Sequence, residues 1–339
     1  MSDLRVNSNR SGRNIKRLFP IFIFAFWILC GLSLVNGQKD KSDLVRNPKT
    51  EGRHIDTRSR GLLARLLLLS DDKKNPPQFE FEKKGAIVYR KFDQADLKCD
   101  LYLPEGEGPF PAILAVHGGA WKSGTKFSML RHAWRLAEAG YVVMAINYRH
   151  APKNKFPAQI EDCRYAVRWL RLNADHYRVD PNQIGAFGYS AGGHLVSLLG
   201  TAPAEKFPDD HLPDELKPFD CRIKAVAAGG APCEFGWLKG NSKILAYWLG
   251  GSKNDKPEIY RSASPTSFVT PDDPPFFFFH GESDLIVPPS SSLKLHEALK
   301  QSGVETQYYV AEGYGHIGTF SDLSWIDPII QFFDRHLKK

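Results

Sequence analysis

Residues 184–196 read IGAFGYSAGGHLV, a short apolar run that ends on a serine set among glycines: Gly188, Ser190, Gly192 and Gly193. IGAFGY has the length and apolarity of a buried strand, and the residues after it have helical spacing, so Ser190 stands at the turn between the two. A strand that feeds directly into a helix turns so sharply that side chains two residues to either side of the serine collide with the strand or the helix. Glycines at 188 and 192 remove that collision and push the Ser190 side chain into the open, beside the first amides of the new helix. The competing reading is a helix-capping serine, which is common. GYSAG alone does not separate the two.

The sequence around this turn is regular from about Val88 onward. LKCDLYLP alternates like a strand, and PAILAVHGG, YVVMAINYR, IKAVAAGG, PFFFFHGES and TQYYVAEGYG are apolar runs that each end in glycine or a polar cluster. Between them lie the helical patterns FSMLRHAWRLAEAG, AQIEDCRYAVRWLRLNADHY, SAGGHLVSLLGTA, SSLKLHEALKQSG and DPIIQFFDRHLKK. Strands apolar on both faces and separated by helices predict an α/β fold whose mostly parallel sheet is covered on both sides. In such sheets the site lies beyond the C-terminal strand ends, where the unusual residues of this chain fall.

A serine hydroxyl is a weak nucleophile that needs a base, and the base needs an orienting acid. Among eleven histidines, His316 in GYGHI follows the last strand-like run on a glycine-rich loop. His296 and His336 lie on helix faces, and His54 precedes the domain. For the acid, HGESDLIVP puts Asp284 on a loop at a strand end, with Glu282 the alternative. An oxyanion would need amide donors, and HGGAW, residues 117–121, supplies a bare backbone at another strand end. Gly119 and Ala120 are expected to offer the upstream amides, with Gly118 as alternative and Ala191 as the donor after the serine. His117 is expected to fix this loop and His194 to pack behind the elbow.

With these residues in hand the chain resembles a known family. HGGAW, NYRHAPKNKFPAQIEDCRYAVRWL, GYSAGGHL, YRSASPTSFVTPDDPPFFFFHGESDLIVP and GYGH together look like α/β-hydrolase esterases of the hormone-sensitive-lipase and BD-FAE-like (bifunctional acetylxylan and feruloyl esterase) type, over residues 84–337. The order Ser190, Asp284, His316 is that of the α/β-hydrolase triad. The resemblance implies an eight-stranded hydrolase sheet with a small cap insert at about 207–265, whose Trp237, Tyr247 and Trp248 read either as a sugar or aromatic platform or as residues packing the insert. It also implies nucleophile, acid and base roles for Ser190, Asp284 and His316, and no cofactor. Ala120 departs from the HGGG-type loop, which has glycine there. The reading that follows is ester hydrolysis through an acyl-enzyme, on short-chain or polysaccharide esters such as acetylated xylan or pectin. The alternatives are a prolyl-oligopeptidase-like exopeptidase, for which no propeller-like repeats precede the domain, and a non-catalytic binding protein of the same fold.

Net charge is +7, but it is unevenly spread. Residues 1–37 carry +4, residues 38–95 carry +5 and residues 96–339 carry −2. The folded body is therefore not basic, which removes the support for a nucleic-acid partner. Lys16 and Arg17 precede the apolar stretch 18–35, with small residues at Val35 and Gly37 before Gln38. Residues 1–37 thus read as a signal peptide or an uncleaved signal anchor, with export expected either way and membrane contact only through this segment. Residues 38–83 read as a polar linker with a short amphipathic helix in RGLLARLLLLSDDKKN, and residues 84–339 as the catalytic domain. Four cysteines follow the leader without CxxC or Cys/His ligand spacing, so no metal site is expected. Cys99 and Cys163 read as small buried residues, and a bridge between Cys221 and Cys233 is left open.

Overall fold

The computed structural model describes residues 45–46, 78–92, 96–236 and 242–338. The expected leader (1–37), the amphipathic run of the linker (60–75) and Trp237 lie outside the described residues.

The strands are β1 (Val45–Arg46), β2 (Phe81–Arg90), β3 (Leu97–Pro104), β4 (Phe110–Val116), β5 (Val142–Ile146), β6 (Val179–Tyr189), β7 (Val226–Gly229), β8 (Phe276–Gly281) and β9 (Thr306–Ala311). They form one sheet in the order β1-β9-β8-β7-β6-β4-β5-β3-β2. β3 runs antiparallel to both β2 and β5, and the remaining pairs are parallel. The eight expected strands are β2–β9, and the two residues of β1 extend the sheet beyond β9. β2 begins at Phe81, slightly upstream of residue 84.

Double-sided burial follows directly from the sequence. In β4, Ala112, Leu114 and Val116 pack into one core while Ile113 and Ala115 pack into the other. The FFFF run of β8 divides the same way, Phe276 and Phe278 against Phe277 and Phe279. Period-two alternation between two apolar layers requires helices on both faces. α2 (Ala158–Leu172), α4 (Ala191–Thr201) and α7 (Pro289–Gln301) cover the first. α1 (Leu130–Glu138) and α9 (Ile326–Leu337) cover the second. Shorter helices are α3 (Ala174–Tyr177), α5 (Lys243–Leu249), α6 (Pro257–Ser262) and α8 (His316–Ser321).

Because β4, β6, β8 and β9 belong to the parallel part of the sheet, their C-terminal ends lie along one edge. HGGAW, Ser190, Asp284 and His316 follow those four ends. The covering segment 207–265 comes in two excursions, because β7 runs between them as a strand of the sheet. A buried ionic strut anchors the loop after β5 to α2. Asp162, wholly buried, accepts from Arg149 Nε at 2.9 Å and from Arg90 Nη1 at 2.9 Å, while Arg149 Nη2 reaches Glu161 at 2.7 Å.

Candidate active site

The turn after β6 is as tight as its glycines suggest. Ser190 sits at φ 56°, ψ −123°, in the left-handed half of backbone space that a non-glycine residue rarely occupies, and its amide donates to Gly229 O at 2.8 Å. A Cβ on Gly188 would come within 2.4 Å of Gly192 O, closing the turn on itself. One on Gly192 would stand 2.0 Å from Val116 O, and one on Gly193 would stand 2.7 Å from Gly229 O. Each glycine therefore faces a different neighbour: the turn, the end of β4 and the end of β7.

Above the turn, His316 Nδ1 lies 2.6 Å from Asp284 Oδ2. Asp284 Oδ1 accepts from the amides of Ile286 and Val287, each at 2.9 Å, and His280 Nε2 approaches Oδ2 at 3.2 Å. Burial opposes the charge on Asp284. The donors from His280, His316 and the Val287 amide outweigh it and hold the carboxyl far below the usual carboxylate range. A carboxylate kept ionised in this way makes His316 carry its hydrogen on Nδ1, which leaves Nε2 as the free nitrogen. The ring is placed over the elbow by the residue before the serine. Tyr189 Oη donates to His316 O at 2.7 Å, and the two ring centroids are 5.1 Å apart. Glu282 turns elsewhere, its Oε2 accepting from the Gly313 amide at 3.2 Å.

The loop after β4 meets the same turn. A Cβ on Gly118 would be 3.1 Å from Ser190 Cβ and 3.0 Å from Tyr189 O, so the backbone here abuts the serine. Gly119, Ala120 and Trp121 all have positive φ (121°, 52° and 58°), and the Lys122 and Ser123 amides both donate to Gly119 O at 3.1 Å. This curl turns the backbone back on itself beside Ser190. His117 braces it: Nδ1 donates to Gly118 O at 2.7 Å, and the ring stacks on Tyr148, whose hydroxyl donates to His117 O at 3.0 Å. Burial pulls the His117 imidazole down to about 3, so it is neutral at physiological pH.

The BD-FAE family model matches residues 99–299. The chain belongs to the BD-FAE family. It is 30% identical over 245 residues to "Probable carboxylic ester hydrolase LipM" of Mycobacterium tuberculosis, covering 68% of this chain and 54% of the relative. It is 31% identical over 221 residues to "Esterase LipC" of the same organism, covering 61% and 53%. The chain thus spans about half the length of these curated relatives. Among solved structures, "Truncated form of carbohydrate esterase from gut microbiota" superposes with a TM-score of 0.69 at 26% identity, over 78% of this chain and 98% of that one. Esterase 2 of Thermogutta terrifontis gives 0.62 at 26%, over 77% and 96%.

In this BD-FAE chain the wall beside the elbow is aromatic. Trp121 stacks on Trp248 with centroids 3.8 Å apart, and its Nε1 donates to His194 Nδ1 at 3.2 Å. His194 Nε2 in turn donates to Ala263 O at 2.7 Å, and burial lowers this imidazole to about 4. His194 therefore packs behind the Ser190 turn as expected. Trp248 is wholly buried, with Nε1 donating to Gln159 Oε1 at 2.9 Å, so it packs the covering segment and offers no open platform for a ligand. Tyr247 remains exposed. The possible bridge between Cys221 and Cys233 is not formed. All four cysteines of the described domain are free and buried, and Cys221 and Cys233 flank opposite ends of β7. Burial pushes the Cys233 thiol up to about 12, which makes it unreactive. A cavity of about 440 Å³ lies away from Ser190, between β2 and α2, lined among others by Arg90, Tyr165, Trp169 and Leu216.

The sequence reading did not single out His280. The residue stands in the quoted HGESD, one position before the glycine that ends β8, where a polar side chain interrupts a phenylalanine run. That interruption was the available signal.

Proposed function

We propose that the chain is an exported serine carboxylic-ester hydrolase that acts through an acyl-enzyme on short-chain or carbohydrate esters. The observation that carries the reading is the 2.6 Å contact between His316 Nδ1 and Asp284, seated over a serine held at φ 56°. With Nδ1 committed to the carboxylate, Nε2 of His316 takes the proton from Ser190 Oγ as the oxygen attacks the ester carbonyl. Asp284 stabilises the imidazolium, and the amides of Ala191 and of the 118–120 loop receive the oxyanion. The imidazolium then protonates the departing alcohol, and water repeats the sequence on the acyl-enzyme. Removing one oxyanion donor typically costs ~10²–10³ in rate.

The carbohydrate-ester reading draws on the family and on the carbohydrate esterase that the fold matches. Export rests on the leader sequence. Leu285 and Ile317, each next to a triad residue, and Ile286, two residues after Asp284, are 94%, 57% and 63% exposed and give the mouth an apolar lip. Such a lip suits an aromatic acyl group such as feruloyl. The test is a panel of acetyl, butyryl and feruloyl esters and acetylated xylan, run on the wild type and on Ser190→Ala. Hydrolysis that disappears in the variant is expected. Hydrolysis retained by Ser190→Ala would overturn the mechanism, and no turnover of any ester would favour a binding role.

A further inference from the structure

His280 is wholly shielded from solvent and makes a polar contact at each ring nitrogen. Nε2 faces two acceptors, Val287 O at 2.9 Å and Asp284 Oδ2 at 3.2 Å, so it carries the hydrogen. Nδ1 lies 2.7 Å from Ser292 Oγ, which is itself 3.0 Å from Tyr308 Oη. Tyr308 Oη donates to Pro289 O at 3.0 Å, Ser292 O–H donates to His280 Nδ1, and the His280 Nε2–H is bonded to Val287 O with Asp284 Oδ2 beside it at 3.2 Å.

We propose that His280 is a positioning residue of the Ser190–Asp284–His316 constellation: its Nε2–H, bonded to the Val287 carbonyl, stands from the core side against the same Asp284 oxygen that receives His316 and thereby fixes the angle and the charge of that carboxylate. This rests on the hydrolase reading above. The Ile286 and Val287 amides and His316 donate to Asp284, and the His280 Nε2–H stands 3.2 Å from the remaining side of Oδ2. Without the His280 donor, Oδ2 is held from one side only and its negative charge falls more fully on His316, which then keeps its proton more tightly. The other titratable groups around the pair are Tyr308 on β9, His296 on α7 behind Tyr308, Cys233 after β7, Tyr189 on β6 and Glu282 on the same loop. Among the contacts of the described residues, only His280 and His316 bring a side-chain donor to Asp284.

Two amides of different reach test the assignment. In His280→Gln the amide nitrogen extends to where Nε2 stood and keeps a donor on Asp284. In His280→Asn it reaches only to Nδ1 and keeps the Ser292 contact instead. Measured on a short p-nitrophenyl ester, Asn is expected to lower kcat between about 10- and 100-fold at little-changed KM, with the acidic limb of kcat/KM displaced to higher pH. Gln is expected to retain most of kcat and the wild-type limb. Equal kinetics in the two variants, or a loss of kcat without movement of the limb, would overturn the proposal in favour of a purely structural role. If neither variant is recovered folded, Ser292→Ala carries the test. A fall in kcat of a few-fold at the same KM sustains the proposal, and unchanged kinetics refutes it. Wild-type turnover and its loss in Ser190→Ala report on the hydrolase reading itself, whereas only differences among active variants bear on His280.

Discussion

Replacing Gly192 with alanine should separate the Ser190 turn from the 118–120 loop proposed to receive the oxyanion. The added Cβ would stand 2.0 Å from Val116 O and 2.7 Å from His117 O, and real Cβ contacts essentially never fall below 3.0 Å. Both obstacles are backbone, so no side chain can swing aside. The end of β4 and the start of α4 must therefore part by about 1 Å, and Gly118 moves with them, since it abuts Ser190. A misplacement of that size typically costs ~10² in rate, or about 2.7 kcal/mol of transition-state stabilisation. Overpacking adds roughly 1–3 kcal/mol of lost stability, read as about 2–4 °C of Tm per kcal/mol for a domain of this size. Gly303→Ala is the control. Gly303 also has positive φ (82°), but a Cβ there meets nothing within 4 Å, so it should lose about 1 kcal/mol of stability and no activity. The assay is kcat/KM on a short ester, with melting followed in parallel. If Gly192→Ala kept kcat/KM within a few-fold of wild type, the argument that this contact sets the oxyanion geometry would fail.

Ala120 holds φ 52°, so Ala120→Gly should leave kcat intact and relieve about 1 kcal/mol of strain, whereas the β-branched Ala120→Val should lose both activity and Tm; equal behaviour of the two would refute the strain assignment. His132 is buried against Phe187 and Phe320, and burial lowers it from 6.5 to about 4. The unfolded chain takes up a proton below about 6.5 and the folded one does not, so this stability is present above that pH and is lost as pH falls toward 4. Between pH 7 and 5 the loss is about 2 kcal/mol, and His132→Phe should flatten the urea-denaturation profile by that amount; an unchanged pH dependence would count against it. Asp162→Asn breaks the strut between Arg90 and Arg149 inside the core and is expected to cost roughly 3–5 kcal/mol in urea denaturation; a loss below 1 kcal/mol would mean the strut is not a structural tie.

The parallel half of the sheet was legible because its strands are buried on both faces. β4 and β5 are apolar throughout and β8 opens on four phenylalanines, and each leads into glycine or a polar cluster where the sheet meets the site. β2 was not, since residues 82–86, EKKGA, lie exposed on the edge and carry no apolar alternation. α8 was missed for a related reason: His316 opens it directly from a glycine pair that reads as loop. The pairing of Asp284 with His316 could be anticipated from strand ends and residue chemistry, with Glu282 left open until the fold turned it toward Gly313. Trp248 was ambiguous because an aromatic residue in a covering segment packs or binds according to partners far away in sequence, here Trp121 and Gln159. His280 looked like one more strand residue. Its significance lies in which three elements surround it, and that is a property of the tertiary structure alone.

The central claim is that Ser190 is an activated nucleophile. It is tested most directly by incubating the protein with a fluorophosphonate probe and locating the adduct by peptide mass spectrometry. One adduct is expected, on Ser190, absent from Ser190→Ala and strongly slowed in a His316 variant. Absence of labelling at Ser190 in the folded wild-type protein, or labelling that persists at the same rate without His316, would contradict it.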